Sequence, residues 1–80
     1  MERVHYIEAG QQVPAGNKLT VKKLAGGQFN VDGYLGSAIA NLGFGVENNL
    51  RLALLSAQKQ AARLGITDIY VIGVSDAERP

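Results

Sequence analysis

The chain offers few residues on which to build covalent chemistry. Its one histidine, His5, could act as a general base, but a base needs a nucleophile and an orienting partner, and its place near the chain start supplies neither. The expectation is an ordinary half-exposed strand residue. Ser37, Ser56 and Ser75 lack the G-x-S-x-G turn that raises a nucleophile above a sheet. The acids Glu2, Glu8, Asp32, Glu47, Asp68, Asp76 and Glu78 are scattered, with neither paired-carboxylate nor metal-loop spacing. With no cysteine, disulfides, thiolate zinc sites, iron–sulfur clusters and a thiol nucleophile are excluded together. A single imidazole likewise excludes sites built on several. The sequence thus predicts no catalytic residue, no metal and no cofactor. A small enzyme of unknown type stands third among the functions considered, sustained by His5 and a glycine-rich approach to a helix.

Two further motifs could bind phosphate or bases. Gly43-Phe44-Gly45 resembles the opening of a phosphate-cradling loop, because glycines let the backbone come close and a helix start attracts anions. Asn48 stands where the third glycine of G-x-G-x-x-G belongs, no Lys-Ser/Thr pair follows, and Glu47 puts negative charge where phosphate would sit. A flexible connection is the simpler expectation. Lys18, Lys22 and Lys23 form the one local basic patch, with Phe29 and Tyr34 nearby as stacking faces. A single-stranded nucleic-acid binder using this hairpin face is the alternative function. Asp32 in the same hairpin and a formal net charge of +1 weigh against it, and lysines on an edge strand also serve simply to discourage sheet extension.

These residues must be positioned by short elements. Arg3 to Glu8 alternates as a strand, with Val4 and Tyr6 on one face and His5 and Ile7 on the other. Residues 9–17, punctuated by Gly, Pro and Asn, read as a loop. Leu19 to Leu24 and Phe29 to Tyr34 read as a hairpin, since Gly26 and Gly27 between them tolerate the positive φ of a tight connection. Gly36, Gly43 and Gly45 interrupt the next stretch, in which a short strand is expected around Ser37 to Ala40. Val46, Leu50, Ala53, Leu54, Ala57, Ala61 and Leu64 recur at helical spacing, and Gly65 supplies a stop, so a helix is predicted over about 47–64. Ile66 to Val74 returns as a strand that is apolar on both faces, and residues 75–80 read as a frayed polar tail.

The fold expected is α+β: one domain over residues 1–80, in which a small, mostly antiparallel sheet of four to five strands packs on one long helix. Eighty residues, 46% of them hydrophobic, leave no room for a second core. A chain this size buries roughly 60–65% of its unfolded surface, so its stability is thin without an added partner. Tyr70, Ile72 and Val74 on the last strand, with Leu52 and Leu55 widening the helix stripe, exceed what one helix–sheet contact covers. These five are therefore the expected partner or dimer interface, unless the Leu35 to Phe44 connection folds over the open face itself. The leading function is a non-enzymatic module acting by protein contact, as a homodimer or within a larger complex. No apolar run reaches the roughly 18–20 residues of a membrane span, and the start of the chain lacks a secretory signal's apolar stretch, so a cytoplasmic protein is expected.

Gly27-Gln28-Phe29-Asn30-Val31 in the hairpin, the Ala-rich helix with Ala57, Gln58, Ala61 and Ala62 ending at Gly65, and the closing Tyr70-Val71-Ile72-Gly73 carry a likeness to a known group. In these features the chain resembles the small phage-encoded anti-CRISPR proteins of the hairpin, helix, strand type that inhibit type I-F surveillance complexes. The resemblance implies a non-catalytic inhibitor from a phage or mobile element that occupies a surface of a nucleoprotein machine. It assigns no contact residue.

Overall fold

The computed structural model describes residues 2–8, 10–36 and 41–79. Its elements run β1 (Arg3–Ile7), β2 (Lys18–Lys23), β3 (Phe29–Tyr34), β4 (Asn41–Glu47), α1 (Leu50–Leu64) and β5 (Asp68–Ile72). The fold is α+β, one five-stranded sheet in the order β1-β5-β2-β3-β4 with a single helix on one face. The sheet is mixed: β2, β3 and β4 form an antiparallel meander, whereas β5 lies parallel to both β1 and β2.

Alternation along the strands decides what enters the core. Leu19 and Val21 on β2, Phe29 and Val31 on β3, and Ile69 and Val71 on β5 all face α1 and are buried. The helix answers with Leu50, Ala53, Leu54, Ala57 and Ala61, a stripe whose three alanines let its axis approach the β-branched sheet residues. The β3 backbone at Gly33 allows a further close fit, because a Cβ there would sit 2.8 Å from the ring of Phe44 on β4.

The helix begins later than the apolar period suggests. Asn49 caps it, its side-chain oxygen accepting the N–H of Leu52 at 2.9 Å, and Val46 belongs to β4. At the other end Gly65 adopts φ +72° and stops the helix as expected. The strand expected at Ser37 to Ala40 falls on positions outside the described residues. The strand found, β4, takes in Gly43 and Gly45, which the sequence reading treats as interruptions. Phe44 and Gly45 together oppose Val31, a bulge in which Gly45 supplies φ +95°. The described part of the Leu35 to Phe44 connection extends the sheet instead of folding across it.

Two expectations about the last residues are corrected. Val74 does not share a face with Tyr70 and Ile72: Gly73, at φ +81°, breaks the alternation, and Val74 is buried in the helix-side core. Residues 75–79, expected as a frayed polar tail, carry local structure. Asp76–Glu78 form a 3-10 turn in which Ser75 Oγ donates to Glu78 Oε1 at 3.0 Å, and Lys23 Nζ donates to Glu78 Oε2 at 2.6 Å. Arg79 stacks its guanidinium 4.6 Å from the Tyr6 ring centre.

Candidate functional site

The face of the sheet opposite α1 carries the polar side chains, and strand register arranges them in rows. Across the β2–β3 pair, Lys18 lies opposite Tyr34, Thr20 opposite Asp32, and Lys22 opposite Asn30. Parallel pairing sets Tyr70 beside Thr20 and Ile72 beside Lys22. The crossover from β1 to β2, without a helix among its described residues, passes to this side, where Val13 joins Lys18, Thr20, Lys22, Leu24, Asn30, Asp32, Tyr34 and Ile72 in lining an open groove of about 410 Å³.

Within the groove the charges differ in how they are held. Lys18 is committed, donating to the Pro14 carbonyl at 2.9 Å with its ammonium 5.0 Å from the centre of the Tyr34 ring. Asp32 Oδ2 accepts the side-chain amide of Asn30 at 2.6 Å. Neither Asp32 nor Lys22 forms an ion pair among the described residues. Thr20, only 6% exposed, makes no side-chain hydrogen bond among them.

A second cluster lies at the β1–β5 end of the same face. His5 stacks on Tyr70, ring centres 4.7 Å apart, and its Nε2 lies 2.9 Å from Asp68 Oδ1, which also accepts Arg3 Nε at 3.2 Å. Because a carboxylate only accepts, this contact keeps the proton on Nε2. The His5 hydrogen bond, and after it the Arg3 charge, hold the Asp68 carboxyl below its ordinary range against some desolvation. Among the described residues no serine or threonine hydroxyl hydrogen-bonds His5, so the ring is oriented without a nucleophile beside it. No group of three His, Asp or Glu side chains among them is placed to hold a metal ion, and no helix among them is long and apolar enough to cross a membrane.

The structure separates the residues expected to make one interface. Tyr70 and Ile72 lie half-buried on the open sheet face, while Leu52 and Leu55 project from α1 on the side away from its buried stripe. Val74 is internal. No single flat partner contact spans both layers of the domain. The nucleic-acid set is likewise divided. Lys18, Lys22 and Tyr34 share the groove, but Phe29 is 4% exposed in the core and offers no stacking face, and Lys23 turns to the other side to pair with Glu78. One side of the Tyr34 ring is covered by Lys18.

The sequence reading missed Thr20 and Asn30 as groove residues and β4 as an edge. The period-2 alternation of Lys18, Thr20 and Lys22 was the available signal for the first; nothing local announces which strand ends a sheet. The apolar residues left most exposed include Leu42 and Val46 on β4, at 38% and 48%. Comparison with protein-family models, with curated proteins and with solved structures finds no match to this chain, so the likeness to type I-F inhibitors stands on its sequence features alone.

Proposed function

We propose that this domain is a non-catalytic binding module acting through protein contact, that its partner is a second copy of the chain, and that β4 is the contacting edge. The observation carrying this reading is the outer edge of β4: seven residues long, unpaired among the described residues, and bearing the exposed Leu42 and Val46. Such an edge presents a row of backbone donors and acceptors that another strand can satisfy. Between Asn41 and Glu47 it carries neither the lysine nor the proline that commonly blocks addition. The opposite edge strand, β1, begins on Arg3 and is flanked by Glu2 and Glu8. Two β4 strands related by a two-fold axis would continue the meander into one sheet across both copies and shield Leu42 and Val46 from water.

Sedimentation from low-micromolar to near-millimolar protein tests the reading. The wild type is expected to sediment as a dimer in the upper part of that range, and Val46→Lys as a monomer with an unchanged helix signal by circular dichroism. A wild type that stays monomeric throughout overturns it.

A further inference from the structure

We propose that the groove on the open sheet face binds a small zwitterion of amino-acid or dipeptide size with an aliphatic side chain, its carboxylate on Lys22, its ammonium on Asp32, and its side chain against Ile72, Leu24 and Val13. Opposite charges stand unpaired on one floor. Lys22 and Asp32 are diagonal neighbours in the β2–β3 register, yet neither makes an ion pair among the described residues. Asn30, directly across from Lys22, donates its amide to Asp32 Oδ2 and holds that carboxylate in place. The other oxygen, Oδ1, faces Gly43 on β4 and accepts no side-chain hydrogen bond among the described residues. A ligand carrying both charges a short distance apart neutralises both residues, whereas a plain anion meets Asp32 and a plain cation meets Lys22.

The remaining lining fits the same ligand. Thr20 stands directly across from Asp32 and two residues before Lys22, and its hydroxyl, which is not a buried orphan, can donate to a carboxylate or accept from an ammonium. Val13, Leu24 and Ile72 supply the apolar wall. A volume of about 410 Å³ falls within the range of small-molecule sites. Lys18, held by the Pro14 carbonyl and the Tyr34 ring, closes one end and keeps its positive charge, which adds to the pull of Lys22 on the ligand's carboxylate.

Amide shifts of the isotope-labelled full chain test this, with L-leucine and L-leucyl-L-leucine as probes. N-acetyl-leucine, which lacks the ammonium, and leucinamide, which lacks the carboxylate, are their controls. Leucine or the dipeptide is expected to move the amides of Thr20, Lys22, Asp32 and Tyr34 saturably. Each control is expected to bind about tenfold more weakly or worse, because one charged hydrogen bond is gone. Asp32→Asn should abolish the discrimination against N-acetyl-leucine, and Lys22→Met that against leucinamide, with the remaining spectrum showing an intact fold. Groove amides that stay still at saturating additions of both probes overturn the proposal. So do controls that bind as well as their parents, or shifts produced by a single-stranded oligonucleotide and by neither zwitterion. Sedimentation of the same samples reads the β4 contact separately.

Discussion

Asp68 accepts from three side chains, His5 Nε2 at 2.9 Å, Arg3 Nε at 3.2 Å and Thr67 Oγ1 at 3.3 Å. Its carboxyl is accordingly held below the ordinary value of 3.8. A depressed acid favours the folded state above its unfolded pKa, and that contribution is lost as pH falls through the folded one. Asp68→Asn is therefore expected to lower stability at neutral pH and to flatten the acid limb of the stability curve below about pH 4. Urea unfolding at several pH values measures this; a wild type and variant differing equally at pH 7 and at pH 2 would contradict it. Glu78, lowered by Lys23 and Ser75, adds to the same acid loss. Neither set of partners can be read along the chain, because Asp68 lies 63 positions from His5 and Glu78 lies 55 from Lys23. Val74 shows the converse limit: period-2 alternation places it outside, and one left-handed glycine, Gly73, turns it inward.

Among the elements, those whose signal is local were legible and those that depend on a neighbour were not. The β2–β3 hairpin and α1 emerge from alternation, helical period and glycine stops, and α1 differs from expectation only where Asn49 caps it before the apolar period would. β4 was hidden because Gly43 and Gly45 read as breakers. Pairing with β3 overrides that weak preference, and the bulge gives Gly45 its place. Gly33 binds β3 and β4 together through the Phe44 ring lying over it. Gly33→Ala is expected to cost about 1–3 kcal/mol through overpacking. Phe44→Ala in the same chain should remove part of that cost. The pair is then non-additive in chemical denaturation; strict additivity would show that the ring moves aside freely.

For the whole molecule the sequence supports fold class and size but not layout. That β5 is apolar on both faces was legible, and the reading that a partner covers it was the available inference. The structure gives another cause: β5 lies inside the sheet between β1 and β2, with Ile69 and Val71 under the helix and Tyr70 and Ile72 toward the open face. Ile72 is separated from β4 by two strands, about 14 Å at ordinary strand spacing. Ile72→Asp should thus cost about 1–2 kcal/mol in stability through lost packing and leave the sedimentation of the protein as in the wild type. A variant that dissociates while Val46→Lys does not would move the contact to the open face.

The place of β5 also orders events during synthesis. The strand that completes the interior of the sheet is the last of the five to leave the ribosome, so β1 and the β2–β4 meander emerge with nothing yet to join them. Until Asp68–Ile72 is free of the exit tunnel, the nascent chain holds a slot between β1 and β2 that the same segment of an already released copy can also fill. Crowded translation of this message should therefore raise the share of exchanged, intertwined product above that formed on refolding the dilute protein, as size-exclusion chromatography would read.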